Sequence, residues 1–182
     1  MAGPRERYRA QVRDEVKQHA WVQIAEAGVS ALSLNAIAKQ MGVSGPALYR
    51  YFASRDELIT ALIRDAYRSL ADTVRTAYDG GTDAVGLAQV IRAWALADPQ
   101  RYLLIYGTPV PGYHAPDETT AISDEILTVL VEAVGPDRAV SFWTRLHGVL
   151  SLELAGHFAG RDVDPAGLVE REISELVSSD RS

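Results

Sequence analysis

The segment from Ser33 to Glu57 constrains the fold of this chain more than any other, because it encodes two short helices joined by a glycine turn. Its first apolar residues recur at the i, i+3, i+4 and i+7 spacing that places side chains on one helix face; they are Leu34, Ile37, Ala38 and Met41. Ser33 stands at the N-cap position of this helix. Gly42 is the residue best able to adopt a left-handed conformation and end it, and Val43 is expected to turn inward as an apolar plug.

The second helix of the pair is predicted to begin after Ser44, which serves as its N-cap. Leu48 and Phe52 lie four residues apart and predict one buried edge. The side chains predicted to face outward are Gly45, Pro46, Ala47, Tyr49 and Arg50. Two short helices around a tight turn make a helix-turn-helix, whose second helix typically enters the DNA major groove.

This segment resembles the DNA-binding region of the TetR/AcrR family of one-component transcriptional regulators. The resemblance rests on four motifs in the family's order and spacing: AEAG at 25–28, SLNAIAKQMGVS at 33–44, LYRYF at 48–52 and SRDEL at 54–58. It implies that Tyr49, Tyr51 and Arg55 hold DNA phosphates. For Tyr51, packing against the first helix is the alternative.

The residue types at the start of the second helix suit close contact with DNA. Gly45, Pro46 and Ala47 are small enough to let the backbone approach base edges, and Arg50 can reach a guanine edge or a phosphate. The Ser33 and Ser44 hydroxyls are candidate donors to the DNA. Four arginines crowd the start of the first helix, where they either lie along the DNA backbone or form a solvated tail: Arg5, Arg7, Arg9 and Arg13.

The net charge of −6 at first argues against a DNA-binding protein, but the charge is unevenly distributed. Residues 1–58 hold eight Lys or Arg against six Asp or Glu, and residues 59–182 hold ten against eighteen. A basic head on an acidic body can present its positive end to phosphates. No apolar run reaches the roughly 18–20 residues of a membrane span, so we expect a cytoplasmic protein without a membrane partner. The absence of cysteine excludes disulfides and thiol catalysis.

Helical periodicity without strand alternation predicts an all-α fold. We expect a three-helix DNA-binding domain with the helix-turn-helix at 1–53, and a helical ligand-binding and dimerisation domain at 54–182. A capping box at Ser54 and Glu57 starts a helix of about 25 residues that joins the two. The other predicted helices cover 5–27, 82–98, 98–106, 119–134, 137–159 and 165–177, with a loop at 107–117.

The resemblance also implies a homodimer that pairs through the last two long helices. Small or apolar residues of these helices are the predicted interface: Gly148, Ser151, Ala155, Ala159, Val169 and Ile173. Packing against helices of the same chain is the alternative. Two DNA-binding heads on a shared axis would match two half-sites one helical turn apart.

Aromatic and amphipathic residues concentrate in the body and are candidate walls of a ligand pocket: Trp94, Tyr102, Tyr106, Tyr113, Trp143 and His147. The string FWTRLHGVLSLELAGHF at 142–158 resembles a C-terminal variant of the family that is marked by a tryptophan and a His-Gly pair. Such walls favour a small hydrophobic or aromatic effector that is not highly charged. The alternative is that these residues belong to the core.

The sequence thus favours a ligand-responsive transcriptional regulator, most often a repressor, that binds a double-stranded operator and needs no cofactor. One rival is an all-α protein-interaction module whose helix-turn-helix has lost DNA binding. A helical enzyme is the weaker rival, because no phosphate loop, nucleophile elbow or dinucleotide motif is present. Glu153 and His157 share a helix face, but His147 lies off it, so a metal site is not expected.

Overall fold

The computed structural model describes residues 3–178, and within that range the chain is helical, with no strand. The predicted all-α class is therefore confirmed. The helices are α1 (Pro4–Ala27), α2 (Leu34–Gln40), α3 (Gly45–Leu48), α4 (Arg55–Asp79), α5 (Ala84–Ala97), α6 (Pro99–Tyr106), α7 (Asp117–Val134), α8 (Pro136–Leu154) and α9 (Pro165–Ser178). A short 3₁₀ turn at Val29–Ala31 precedes α2.

The chain divides into two compact units. The first unit ends at Arg64 and also includes Thr108–Pro116; the second unit comprises Asp65–Gly107 and continues from Asp117. The boundary between the two compact units thus falls inside α4, after Arg64. The domain boundary predicted from the sequence lies between residues 53 and 54, just before that helix. The continuous helix α4 contributes residues to both units.

In the first unit, local capping signals set the helix-turn-helix. The Ser33 hydroxyl accepts the amide of Ala36 at 3.3 Å. Gly42 has a φ of 69°, the left-handed value predicted for it. The next amide, that of Val43, then donates to the Ala38 carbonyl at 3.0 Å and completes the C-terminal cap of α2. The prediction that Val43 turns inward is wrong: its side chain is 42% exposed, because its backbone and not its side chain closes the turn.

Helix α3 is shorter than the sequence pattern suggested. Ser44 caps it as predicted, and Leu48 and Phe52 are buried in the core of the first unit. Beyond Leu48 the backbone tightens, because the amide of Tyr51 donates to the Leu48 carbonyl three residues earlier at 2.8 Å. Such i to i−3 bonds end an α-helix in turns. Residues 49–51 therefore lie in turns, and one regular helical turn carries the start of the segment.

The start of α4 is capped in a variant of the predicted box. The Glu57 amide donates to the Ser54 hydroxyl at 3.0 Å. The Glu57 carboxylate accepts the amide of Ala53 at 2.7 Å, one residue before the expected partner. The helix then runs for 25 residues, the length that the sequence predicts.

In the second unit, α5, α7, α8 and α9 pack around a core of aliphatic and aromatic side chains. The largest buried members include Leu87, Ile91, Ile126, Leu130, Phe142, Leu146, Leu150, Val169 and Ile173. Val169 and Ile173 are 0% exposed within the single chain, so neither side chain offers surface to a second copy. These two positions are therefore corrected from interface to core.

Helix α8 ends five residues earlier than predicted. Gly156 has a φ of 76°, and the amide of His157 donates to the Leu152 carbonyl at 2.9 Å. This hydrogen bond and the left-handed glycine form a C-terminal cap that stops the helix. Ala155 is the C-cap of α8, and Ala159 lies beyond the helix. Ala159, which was predicted for the interface as part of this helix, is exposed outside it, and its place in the interface stays a prediction.

Candidate functional site

The outer surface of the helix-turn-helix combines small and polar side chains. Pro46, Tyr49 and Arg50 are exposed. Gly45 and Ala47, which were predicted to face outward, are half-buried. A Cβ added at Gly45 would lie 3.1 Å from Asn35 Oδ1, tighter than an ordinary contact, so α3 passes α2 closely at this residue.

Two arginines of α1 hold the turn that follows α3. Arg9 Nη2 donates to the Arg50 carbonyl at 3.3 Å. Arg13 donates to the Tyr51 carbonyl and to Glu57 Oε1, and its guanidinium carbon lies 3.9 Å from the centroid of the Phe52 ring. The half-buried Tyr51 is thus fixed through its backbone. Arg13 was grouped with the arginines available to DNA, but its contacts give it a structural role.

Three further candidates already make bonds inside the first unit. Arg55 donates from Nε to the Leu32 carbonyl at 3.2 Å and from Nη2 to the Val29 carbonyl at 2.9 Å. The Ser33 and Ser44 hydroxyls each accept a backbone amide at 3.3 Å. A hydroxyl that accepts one bond still has a hydrogen to donate. These contacts orient the three side chains and leave part of their donor capacity for another partner.

A groove of about 330 Å³ lies beside α3 in the first unit. Its lining residues come from α1 and from the second half of the helix-turn-helix: Arg5, Tyr8, Arg9, Ala47, Arg50 and Tyr51. The lining includes three guanidinium groups and two phenols and contains no carboxylate. Such a surface attracts an anion that accepts several hydrogen bonds. Tyr8, at 63% exposed, is a residue that the sequence motifs did not identify.

The second unit brings four of the six predicted ligand residues together. The His147 ring centroid lies 4.1 Å from that of Trp143, 4.4 Å from that of Tyr106 and 5.5 Å from that of Tyr102. Tyr67 joins them edge-on, 5.8 Å from Tyr106. We call these five residues the aromatic cluster. Tyr67 was not predicted from the sequence as a ligand residue. The available signal was its place on α4 directly after the buried Ala66.

The other two predicted ligand residues lie elsewhere. Trp94 belongs to the second unit, where its indole N–H donates to the Ser69 hydroxyl at 3.1 Å. Tyr113 belongs to the first unit, and its hydroxyl lies 3.0 Å from that of Thr60. The structure therefore places neither of them in the aromatic cluster.

Polar atoms of the aromatic cluster are only partly satisfied. The Tyr102 hydroxyl lies 2.9 Å from His147 Nδ1 and 3.4 Å from the Ser151 hydroxyl. Among the described residues, the buried Tyr106 hydroxyl and His147 Nε2 have no hydrogen-bond partner. Burial lowers the pKa of His147 to about 4. Burial, and then the neighbouring Tyr67 and Tyr102, raise the pKa of the Tyr106 hydroxyl. Both groups are therefore neutral near pH 7.

A cleft of about 130 Å³ opens next to the aromatic cluster, within the second unit. Its walls come from α7 and α8: Ser123, Asp124, Leu127, Val140 and Trp143. Trp143 is both a wall of the cleft and a member of the cluster. The cleft is mostly apolar, with one carboxylate in its lining.

The outer face of α8 carries small residues. Thr144, Gly148, Ser151 and Ala155 are exposed and recur at helical spacing, so they lie along one side of the helix. A Cβ built on Gly148 meets no atom within 4 Å in the single chain. This glycine therefore leaves open space on the surface of the second unit.

Glu153 is committed to an ion pair. Its carboxylate accepts two hydrogen bonds from Arg92, at 2.9 and 2.5 Å. Within residues 3–178 no group of three His, Cys, Asp or Glu side chains is arranged to hold a metal ion. In the same range no helix is both long enough and apolar enough to cross a membrane.

Comparison with known proteins identifies the family. Residues 18–62 match the tetR family of bacterial regulatory proteins, and residues 84–176 match the tetracyclin repressor-like C-terminal domain. The chain is 32% identical to the HTH-type transcriptional regulator Rv1816 of Mycobacterium tuberculosis, with 97% of this chain and 95% of that protein covered.

Solved structures agree with this identification. The crystal structure of SCO4313, named as a candidate regulatory protein, shares 57% identity and a TM-score of 0.93 over 97% of this chain and 100% of that one. The fatty acid degradation regulator FadR from Bacillus halodurans shares the fold alone, with 16% identity and a TM-score of 0.68 over 92% and 99% of the two chains. The resemblance indicated by the sequence motifs is confirmed: the chain belongs to the TetR family of transcriptional regulators and is not an enzyme.

Proposed function

We propose that this regulator is a cytoplasmic repressor that binds a pseudopalindromic operator as a homodimer and leaves it when a small hydrophobic or aromatic effector binds the second unit. The groove beside α3 carries the DNA part of the proposal. It combines Arg5, Arg9 and Arg50 with two phenols, at the helix that a helix-turn-helix inserts into the major groove. Phosphate oxygens accept hydrogen bonds from both side-chain types.

The positions of the hydrogen-bond donors in the groove also suggest which part of the DNA each of them contacts. Arg50 lies nearest to α3 in the chain and is exposed, so it can contact a base edge or a phosphate. Arg5 lies on α1 and would contact the DNA backbone. Tyr49, at 43% exposed, offers its hydroxyl from the same turn as Arg50. Gly45 and Ala47 are small and half-buried, so they let the backbone of α3 approach the DNA closely.

Replacing Arg50 by Ala should weaken operator binding about 10-fold to 100-fold, because it removes one charged contact worth roughly 1–3 kcal/mol. The operator would first be obtained by selecting bound sequences from random duplexes. Binding would then be measured by fluorescence anisotropy between 50 and 200 mM salt, as conditions of the assay. A contact to phosphate should also make the salt slope about one unit less steep.

Arg161→Ala is the matched control, because it removes an exposed arginine from the second unit. It should leave both the affinity and the salt slope close to those of the unchanged protein. Equal affinity for Arg50→Ala and the unchanged protein would contradict the DNA assignment of the groove. Failure to select any duplex would favour the rival interpretation, a helix-turn-helix that contacts another protein.

The homodimer part of the proposal is supported by the outer face of α8. Small residues at Gly148, Ser151 and Ala155 permit close approach of a second helix. Leu152, on the same helix and 46% exposed, adds apolar area that a partner would cover. A symmetric pair through this face would use the same surface of both copies, as two-fold dimers do.

Replacing Gly148 by Arg should convert the dimer to monomers without unfolding the chain. The new side chain meets open space in the single chain, so it disturbs only a partner that packs there. Sedimentation velocity would measure the oligomeric state, and circular dichroism would measure helicity. Val163→Arg, a change at a 38% exposed residue between α8 and α9, is the control and should stay dimeric. A dimeric Gly148→Arg variant would move the interface away from this face.

The effector part of the proposal is a shift between two populated arrangements. Helix α4 contributes Tyr67 to the aromatic cluster and its first ten residues to the first unit. A ligand that contacts the cluster can therefore act on a helix that continues into the DNA-binding unit. We propose that its binding pivots α4 and that the two heads of the dimer then no longer match successive major grooves.

A further inference from the structure

Two polar atoms in the aromatic cluster are buried without a partner within the described chain: the Tyr106 hydroxyl and His147 Nε2. A buried polar atom without a hydrogen bond destabilises the folded protein, so such atoms are rare. Here two of them belong to rings whose centroids lie 4.4 Å apart. Paired exceptions at one place indicate a third group that accepts or donates hydrogen bonds there.

The hydrogen-bond network indicates what the two atoms offer. The Tyr102 hydroxyl lies closer to His147 Nδ1, at 2.9 Å, than to the Ser151 hydroxyl, at 3.4 Å. If Tyr102 donates its one hydrogen to Nδ1, it can accept a hydrogen bond from Ser151. The neutral imidazole then carries its own hydrogen on Nε2. Since the Tyr106 hydroxyl stays protonated, the cluster holds two unpartnered donors on rings whose centroids lie 4.4 Å apart, and an oxygen acceptor placed between these rings would satisfy both.

The surroundings disfavour a charged acceptor. Tyr67, Trp143 and the other rings supply apolar walls, and His147 is neutral, so no cation within the cluster would balance an anion. Burying a carboxylate without a partner is costly. The cleft beside the cluster adds a negative charge from Asp124 at its lining, which repels anions further. A neutral carbonyl oxygen avoids both costs.

Trp143 borders both the cleft and the two rings that carry the donors. This side chain is a wall of the cleft, and its ring centroid lies 4.1 Å from that of His147 and 5.3 Å from that of Tyr106. Ser123, another wall of the cleft, shares a hydrogen bond with Tyr67. A rotation of the Trp143 ring would therefore join the cleft to the buried donors. The cleft volume of about 130 Å³ is close to that of a cavity that holds one aromatic ring.

We infer that the aromatic cluster is a binding site for a neutral, planar compound with a carbonyl oxygen, which enters past Trp143 and accepts hydrogen bonds from the Tyr106 hydroxyl and His147 Nε2. This inference rests on the proposed effector function of the second unit and specifies the chemical class of its ligand.

Without any ligand, Tyr106→Phe should raise the melting temperature by about 2–4 °C, because it removes an unpaired hydroxyl and keeps the ring. Tyr102→Phe is the matched control, since it removes a hydroxyl that has two partners, and it should lower the melting temperature. Differential scanning calorimetry of both variants makes the comparison. A decrease for Tyr106→Phe that equals the decrease for Tyr102→Phe would overturn the inference, because the Tyr106 hydroxyl would then be satisfied in the free protein.

Three compounds of similar size separate the ligand classes: acetophenone has a neutral carbonyl, ethylbenzene has none and benzoate is charged. Calorimetric titration of the unchanged protein should show acetophenone binding at least ten times tighter than either of the others. In Tyr106→Phe the preference for acetophenone over ethylbenzene should fall, because only His147 Nε2 still donates to the carbonyl. Benzoate binding as tightly as acetophenone, a preference that is undiminished in Tyr106→Phe, or no acetophenone binding at millimolar concentration would each overturn the inference.

Operator release is a separate readout. Acetophenone that binds the cluster and leaves the protein on its operator would contradict the proposed effector coupling while supporting the binding site. Conversely, a protein that never binds DNA can still show the melting-temperature difference and the ligand preference. The two proposals can thus fail independently.

Discussion

Replacing Arg92 by Met should lower the free energy of unfolding by about 3 kcal/mol, because the Glu153 carboxylate would keep its partly buried place without a partner. In the intact pair, Arg92 makes two parallel hydrogen bonds to that carboxylate. The two side chains are only 18% and 14% exposed. Water can therefore replace the lost guanidinium only in part, and the unpaired charge is what destabilises the variant.

The pair between Arg68 and Glu125 is a matched control within the same unit. It has the same two-bond geometry, at 2.6 and 3.0 Å, but its side chains are 46% and 52% exposed. Arg68→Met should therefore destabilise the protein much less than Arg92→Met does, because water screens the exposed pair. Urea denaturation at one fixed protein concentration would measure both losses, so that any self-association affects the two variants equally.

The double variant Arg92→Met with Glu153→Leu completes the cycle. It removes both charges, so its stability should return to within about 1 kcal/mol of the unchanged protein. Similar small losses for Arg92→Met and Arg68→Met would show that burial does not strengthen the inner pair. A double variant as unstable as the single one would show that Arg92 acts through packing and not through the charge of Glu153.

Local signals made the helix-turn-helix predictable. The caps at Ser33 and Ser44 and the left-handed turn at Gly42 depend on residues within about four positions, and such geometry can be read from the sequence. The direction of the Val43 side chain depends on what packs around the turn. The length of α3 likewise depends on the tightening of the backbone after Leu48. Both of these predictions failed because the information is not local.

The second unit shows the same division between local and tertiary information. Gly156 was visible in the sequence and marks the end of α8, but the predicted helix continued to residue 159. The periodicity of Val169 and Ile173 indicated a buried face. It did not tell whether the chain itself or a second copy covers that face, and the core of the single chain does.

Only the part of the aromatic cluster that lies on a single helix was predictable from the sequence. Trp143 and His147 are four residues apart on α8, so their contact follows from helical spacing. The partnership of this pair with Tyr106 and Tyr67 depends on how α4, α6 and α8 pack, and residue type alone did not separate these tyrosines from Tyr113. The unpartnered polar atoms, which carry the ligand inference, become visible only when the packing is known.

Acidification from pH 7 to pH 4 should destabilise the unchanged protein by about 3 kcal/mol more than it destabilises His147→Gln. Burial lowers the pKa of His147 to about 4 in the folded state, against about 6.5 in the unfolded chain. Between these values the unfolded state binds a proton that the folded state does not, so stability falls as the pH drops through this window. A difference of about 2.5 pKa units corresponds to roughly 3 kcal/mol.

Carboxylates elsewhere also titrate in this window, so the quantity to compare is the difference between variants. The neighbours packed against His147 add no change of charge of their own, because Tyr102 and Tyr106 stay protonated throughout and Trp143 does not titrate. Urea titrations at several pH values would give the curves, with His157→Gln as the control for loss of an exposed histidine. Parallel curves for the unchanged protein and His147→Gln would mean that the folded cluster accepts a proton readily. The site would then offer a cation to its ligand, and a carboxylate would replace the neutral carbonyl as the compound that it fits.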